Sequence, residues 1–276
     1  MAKKTDYLAE IELTVETLRY LIEAPTKTFG DCISSALLKI TKNGIISYGA
    51  NSQMYAVGAV AVSKGATINY NVKEEYLIDI GNLQITKKIL DMLKATNQET
   101  VTMKLDESML VLKSGNLRKS ITNCRTTEEG RAPELFRTIQ KFGKTANRVG
   151  TIPLEDLEKY MKGAAHNPHT STGVLTFKYA KNQLSIITDL HEKTDTLSID
   201  LTIKDGGKAS WKGMYCAKEL EMMMHRMGSV TTEITLRTTT DSPLIISSRD
   251  TDPCELETFE EGIVCHFAIA PRLEQE

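Results

Sequence analysis

The stretch Gly173-Val174-Leu175-Thr176-Phe177-Lys178-Tyr179-Ala180-Lys181-Asn182-Gln183-Leu184-Ser185-Ile186-Ile187 decides the fold class. Apolar and polar residues alternate on both sides of Lys181-Asn182, the pattern of two strands with one buried face joined by a tight turn. Segment 36–48, Ala36-Leu37-Leu38-Lys39-Ile40-Thr41-Lys42-Asn43-Gly44-Ile45-Ile46-Ser47-Tyr48, repeats that grammar. Its turn, Lys42-Asn43-Gly44, offers the residue types that accept positive φ at least cost, and Lys42-Asn43 takes the place of Lys181-Asn182. A second pair recurs in the same way. Thr100-Val101-Thr102-Met103-Lys104-Leu105, a turn at Asp106-Glu107-Ser108 and Met109-Leu110-Val111-Leu112-Lys113 are matched by Thr232-Glu233-Ile234-Thr235-Leu236 and Pro243-Leu244-Ile245-Ile246. The offset is about 130–140 residues, half of the 276-residue chain, so the sequence reads as one α+β domain written twice.

Four helices complete the pattern, two in each half: Thr14–Glu23, Leu83–Lys94, Pro153–Lys162 and Tyr215–Met227. Each carries apolar residues at helical spacing: Val15, Leu18, Ile22; Ile85, Ile89, Leu93; Leu154, Leu157, Met161; Leu220, Met223, Met224, Met227. Pro153 suits the first turn of its helix. Between the halves, Thr126–Gly150 reads as a basic linker punctuated by Gly130, Pro133, Gly143 and Gly150, although it also holds Leu135, Phe136 and Ile139. The expected organisation is a first domain over 1–125, a connector over 126–150 and a second domain over 151–276. Arg249–Gly262, with Asp250, Asp252, Glu255, Glu257, Glu260 and Glu261, reads as an exposed acidic insertion.

Composition narrows the function classes. Thirty-four Lys and Arg against 36 Asp and Glu give a net charge of −2, which argues against a strongly basic, gripping DNA binder. No apolar run approaches the roughly 20 residues of a membrane span, and the polar start Met1-Ala2-Lys3-Lys4 carries no signal region, so an intracellular protein is expected. Cys32, Cys124, Cys216, Cys254 and Cys265 are odd in number and scattered, which speaks against a disulfide framework or a zinc ribbon.

Enzymatic motifs are sparse. His166-Asn167-Pro168-His169 supplies at most half of a metal site. Asp205-Gly206-Gly207-Lys208 lacks phosphate-loop spacing and reads as a turn. Cys216 and His225, nine apart on one expected helix, do not share a face. No nucleophile motif is present, so neither a catalytic activity nor a cofactor is expected; the alternative is a metal-dependent enzyme using His166 and His169.

Taken in order, the segments resemble the sliding clamps of the proliferating cell nuclear antigen (PCNA) family. Ser242-Pro243-Leu244-Ile245-Ile246 followed by Val264-Cys265-His266-Phe267-Ala268-Ile269-Ala270-Pro271-Arg272-Leu273-Glu274 is similar to that family's closing strands and tail. Ile80–Lys94 is similar to its "L…KIL" helix, and Gly44–Gln53 to its strand and "DSSH" turn, with Asn51 and Met54 departing from the family's Asp and His.

The resemblance implies a clamp fold with helices on the inner face of a ring and antiparallel sheets outside, formed by three copies around duplex DNA. It implies a DNA polymerase processivity factor with no catalytic activity, a clamp loader and motif-bearing replication and repair partners; a paralogue working in a heterotrimer is the alternative. Turning each helix opposite its apolar stripe exposes Lys87, Lys94, Lys159, Lys162, Lys218 and His225, with Arg19, Lys88 and Arg226 at the margins and Glu16, Tyr20 and Glu23 exposed on the first helix; the resemblance implies that these cations face DNA. By resemblance the subunit interface uses the edge strands 117–124 (Leu117, Ile121) and 196–202 (Leu197, Ile199, Leu201). The partner pocket is expected at Met54, Val57, Leu135, Phe136, Ile139, Pro243, Ala270 and Pro271.

Overall fold

A computed structural model describes residues 7–28, 33–51, 53–127, 130–165, 170–190, 196–251, 253 and 256–272. Two units emerge. One comprises Met1–Met54, Gly58–Phe136 and Glu255–Ile263; the other comprises Tyr55–Val57, Arg137–Cys254 and Val264–Glu276.

The first unit contains, in order, β1 (Ala9–Thr14), α1 (Val15–Lys27), β2 (Ile33–Ile40), β3 (Gly44–Asn51), β4 (Ala56–Ser63), β5 (Asn69–Val72), β6 (Tyr76–Asp79), α2 (Leu83–Ala95), β7 (Thr100–Leu105), β8 (Met109–Ser114) and β9 (Leu117–Thr122). Its strands run in the orders β5-β1-β7-β8-β9 and β4-β3-β2-β6. After α3 (Arg131–Thr145), the second unit continues with β10 (Asn147–Pro153), α4 (Leu154–Ala165), β11 (Thr170–Ala180), β12 (Gln183–Leu190), β13 (Thr196–Thr202), β14 (Trp211–Cys216), α5 (Ala217–Met227), β15 (Glu233–Thr238), β16 (Leu244–Ser247) and β17 (Ile263–Ile269). Its orders are β10-β15-β16-β17 and β13-β12-β11-β14. These two runs repeat β1-β7-β8-β9 and β4-β3-β2-β6 strand for strand; among the described residues, β5, added beside β1, is the one extra strand.

The hairpins follow the sequence. Register runs Ala180↔Gln183 across Lys181-Asn182, and both turn residues have positive φ, 52° and 63°. The first-half turn differs from expectation. Neither Asn43 nor Gly44 adopts positive φ. Instead Thr41 Oγ1 accepts from the backbone N–H groups of Asn43 and Gly44 at 3.1 and 3.2 Å. Gly44 is required by space, since a Cβ there would lie 2.3 Å from the Val62 carbonyl oxygen. The Asp106 turn is held by its own side chain, which accepts from the N–H groups of Ser108 and Met109.

The helix stripes are buried except Val15, which is half-buried: Leu18 and Ile22, Ile85, Ile89 and Leu93, Leu154, Leu157 and Met161, and Leu220, Met223, Met224 and Met227 all lie in the core. Caps explain two starts. Thr14 Oγ1 accepts from Thr17 N–H at 3.0 Å, and Asn82 Oδ1 from Gln84 N–H at 3.0 Å. Three expectations are corrected. Pro153 closes β10 opposite Glu233 and does not open α4; at the end of an outer strand its missing N–H costs little. Tyr215 and Cys216 belong to β14, so α5 begins at Ala217. Glu23 is only 7 % exposed and pairs with Arg19 at 3.3 Å. The last turns of α1 run inside the protein, where Gly49 of β3 lies so close to Pro25 that a Cβ would sit 2.4 Å from the Pro25 carbonyl oxygen.

The expected linker contains α3 and the start of β10. The acidic insertion is likewise more than an exposed loop. Leu256 is buried, and Lys39 Nζ donates to Glu257 Oε1 at 2.9 Å within the first unit. In the second unit, Asp250 accepts from Arg148 Nε at 2.8 Å and Arg237 at 2.9 Å. Partial burial works against the Asp250 charge, but the two guanidiniums outweigh it and hold its pKa below the ordinary carboxylate value. The sign follows: this stabilisation is present above the unfolded-state value of about 3.9 and is lost as pH falls through the lower folded value. Asp250→Asn should therefore flatten the stability–pH curve below about pH 4 in acid-denaturation scans, by about 1 kcal/mol or less for so exposed a pair.

Candidate functional site

Three groups of residues were singled out by sequence: helix cations, edge strands and an apolar set around the connector. In the first unit α1 packs on α2, and in the second α4 packs on α5, so each unit presents a helix pair. Lys87, Lys88 and Lys94 are exposed on α2 and make no ion pair among the described residues. Arg19 is half-exposed and engaged by Glu23. Lys159 pairs with Glu155 one turn away at 2.6 Å; the Lys159 hydrogen bond and charge lower the Glu155 pKa. Lys218 and His225 are exposed on α5 and Arg226 is half-buried, with His225 Nδ1 3.9 Å from Glu158 Oε1. Lys162 lies on α4. Among the described residues, the helix cations that make no ion pair are Lys87, Lys88 and Lys94 on α2 and Lys218 on α5, while Arg19 of α1 and Lys159 of α4 are engaged within their own helices.

Both expected interface strands are sheet edges. β9 ends the order β5-β1-β7-β8-β9, and β13 ends β13-β12-β11-β14. Leu117 is 38 % exposed, one of three large apolar side chains exposed among the described residues, whereas Ile121 is buried beneath the sheet. Leu197, Ile199 and Leu201 lie on β13, with Leu201 half-buried. Beside β13 is a cleft of about 490 Å³ lined by Ile152, Pro153, Asp156, Leu201, Thr202 and Lys204.

The apolar set divides by burial. Val57, Phe136 and Ile139 are buried; Met54, Leu135, Pro243, Ala270 and Pro271 are half-buried. Phe136 stacks edge-on against Tyr48 with ring centres 5.7 Å apart. Met54 holds positive φ, 60°, in a turn closed by its N–H to the Asn51 carbonyl. In the second unit, Ala270 N–H donates to the Tyr55 carbonyl at 2.7 Å.

Sequence reasoning missed the Tyr55–Glu219 hydrogen bond, which ties Tyr55 to α5 within the second unit. Burial, and then the Glu219 carboxylate, raise the Tyr55 pKa and keep its hydroxyl a donor. The partners stand 164 positions apart, so no local pattern announces them. Burial, and then Glu219, also push the Cys216 thiol up, which makes it a poor nucleophile. His166 and His169 lie outside the described residues.

The chain matches no family model and no curated protein. Solved structures are similar over nearly its whole length. A. fulgidus PCNA bound to the C-terminal region of FEN-1 superposes with a TM-score of 0.72 at 19 % identity, covering 97 % of this chain and all of that one. The chain has the fold of a sliding clamp. PCNA from Entamoeba histolytica gives a TM-score of 0.71 at 12 % identity, covering 97 % of this chain and all of the other. The PCNA2–PCNA3 complex of Sulfolobus tokodaii gives 0.66 at 15 %, covering 95 % and 99 %. The similarity covers 95–97 % of this chain and so spans both units.

Proposed function

We propose that this protein is a DNA polymerase processivity clamp: three copies close a ring around duplex DNA and tether polymerase and other motif-bearing proteins to it. The observation that carries the reading is the pair of open edges, β9 in one unit and β13 in the other. Exposed edges invite pairing. Two β9 strands make poor partners, because Arg118 and Lys119, both exposed, would face their own copies and repel. Pairing β9 with the unlike β13 edge is head-to-tail, and a head-to-tail contact that closes gives a ring. The similar structures include a clamp holding a piece of FEN-1 and a complex of two clamp subunits, which supports partner docking and assembly.

A closed ring needs only weak, sequence-independent phosphate contacts, which the cations of α2, α4 and α5 supply. It performs no chemistry of its own. The topological test is retention: the loaded clamp should stay on nicked circular DNA and be shed within minutes once the circle is cut. Equal retention on both forms would refute encirclement. The unpaired lysines of α2 should matter most. Lys87→Glu with Lys88→Glu should lower loading or sliding at least tenfold at physiological salt, while Lys159→Glu, whose charge Glu155 already offsets, should have a smaller effect. The mass of the purified protein separates a homotrimer from a subunit that waits for different partners.

A further inference from the structure

We propose that α3 is a charge-selective docking surface whose ligand is a short acidic segment of a partner protein, next to that partner's apolar anchor. This deepens the docking reading above and rests on it for the anchor alone. The helix carries Arg131, Arg137, Lys141 and Lys144 against a single acid, Glu134, a net +3 within 15 residues of a chain whose total is −2. All four cations are exposed, and Arg131, Lys141 and Lys144 make no ion pair among the described residues. At about 100° per residue, Arg137, Lys141 and Lys144 stand at i, i+4 and i+7 and form one stripe roughly 10 Å long.

The opposite face is fixed in place. Ala132, Pro133, Phe136, Ile139 and Gly143 are buried. Gln140 Nε2 donates to the Pro253 carbonyl at 2.8 Å, and Pro253 stands close enough to Gly143 that a Cβ there would lie 3.5 Å from its ring. The stripe is therefore carried on an anchored helix, which reduces the entropy cost of using it. Leu135 and Phe142, at i and i+7, are half-buried along the other margin. A ligand crossing α3 would meet apolar surface on one side and three cations on the other. An extended run of three or four Asp or Glu residues, roughly 10–14 Å, matches the stripe. A single-stranded nucleic acid fits less well, because such sites add exposed aromatic faces for base stacking, and here Phe136 is buried and Phe142 half-buried.

The test uses fluorescein-labelled peptides with the full-length protein. Two share a two-phenylalanine anchor and differ in the flank, Asp-Glu-Asp-Glu or Ser-Gly-Ser-Gly; a third is an octamer of Glu without an anchor; a twelve-nucleotide oligo-dT is the competing probe. Three exposed charge pairs predict that the acidic flank binds about tenfold tighter than the neutral one at low salt, a preference erased near 0.5 M salt. The variant Arg137→Gln, Lys141→Gln, Lys144→Gln should bind the two anchored peptides alike. Equal affinity of both flanks for the unchanged protein overturns the proposal, and so does oligo-dT binding that the triple variant abolishes. If neither anchored peptide binds, the apolar pocket reading has failed. The Glu octamer then decides the present one: salt-sensitive binding lost in the triple variant supports it, and absence of binding refutes it.

Discussion

Replacing Leu117 by Asp is expected to convert the proposed particle of three 30.7 kDa chains, about 92 kDa, into single chains. Leu117 is 38 % exposed at the start of β9, on the edge proposed to meet β13 of the next copy. Covering the exposed part of Leu117 contributes about 0.6–1.1 kcal/mol, its share of the roughly 1.5–3 kcal/mol of a fully buried leucine, and burying an uncompensated carboxylate in its place costs several kcal/mol more. The combined loss weakens each contact at least 100-fold, and a ring depends on three of them. The fold of the single chain should survive, because an exposed position tolerates substitution to within about 1 kcal/mol. Sedimentation would read the mass and circular dichroism the fold.

Ile68→Asp is the matching control. Ile68 is 55 % exposed and leads into β5, at the other end of the same sheet. It should leave the mass unchanged. If Ile68→Asp dissolves the particle and Leu117→Asp does not, assembly uses the β5 edge and the proposed ring is wrong.

What the sequence disclosed was local. The hairpins and the helix stripes could be read because alternation, heptad-like spacing and turn residues act over a few positions. The errors have equally physical causes. Gly130, Pro133 and Gly143 looked like linker punctuation, yet Pro133 is the third residue of α3, in the first turn, where helix N–H groups have no intrahelical partner and a proline is tolerated. Gly143 is a packing residue: a Cβ there would touch Ile245 at 3.4 Å and Pro253 at 3.5 Å. Gly44 likewise makes room for β4 and does not reverse the chain with positive φ. The insertion looked like a solvated acidic loop because its anchors are remote: Lys39 lies 218 positions from Glu257, and Arg148 lies 102 from Asp250. Glu23 was placed on the exposed face because helical geometry alone does not reveal that the end of α1 is enclosed on all sides.

The same distinction between local pattern and three-dimensional burial governs the partner pocket. Phe136 and Ile139 were expected to receive a partner's aromatic anchor, but Phe136 is 1 % exposed and its ring meets Tyr48 edge-on. Phe136→Ala should therefore cost about 3–5 kcal/mol of stability, a large part of the 5–15 kcal/mol typical of a folded protein, and should show as a lowered Tm whether or not a partner is present. Loss of polymerase stimulation in that variant would report on folding as much as on docking. Leu135 is the better probe: it neighbours Phe136 on α3 and is half-buried, which leaves part of its side chain open to the proposed peptide. Leu135→Ala should keep the Tm within a few degrees while lowering partner affinity about 5- to 30-fold, the range of a contact worth about 1–2 kcal/mol. The two variants together separate the roles. Stimulation lost only in step with Tm would mean that the apolar side of α3 serves packing alone. Stimulation lost in Leu135→Ala at constant Tm assigns that side to the partner, with Phe136 beneath it as the support that holds the surface in shape.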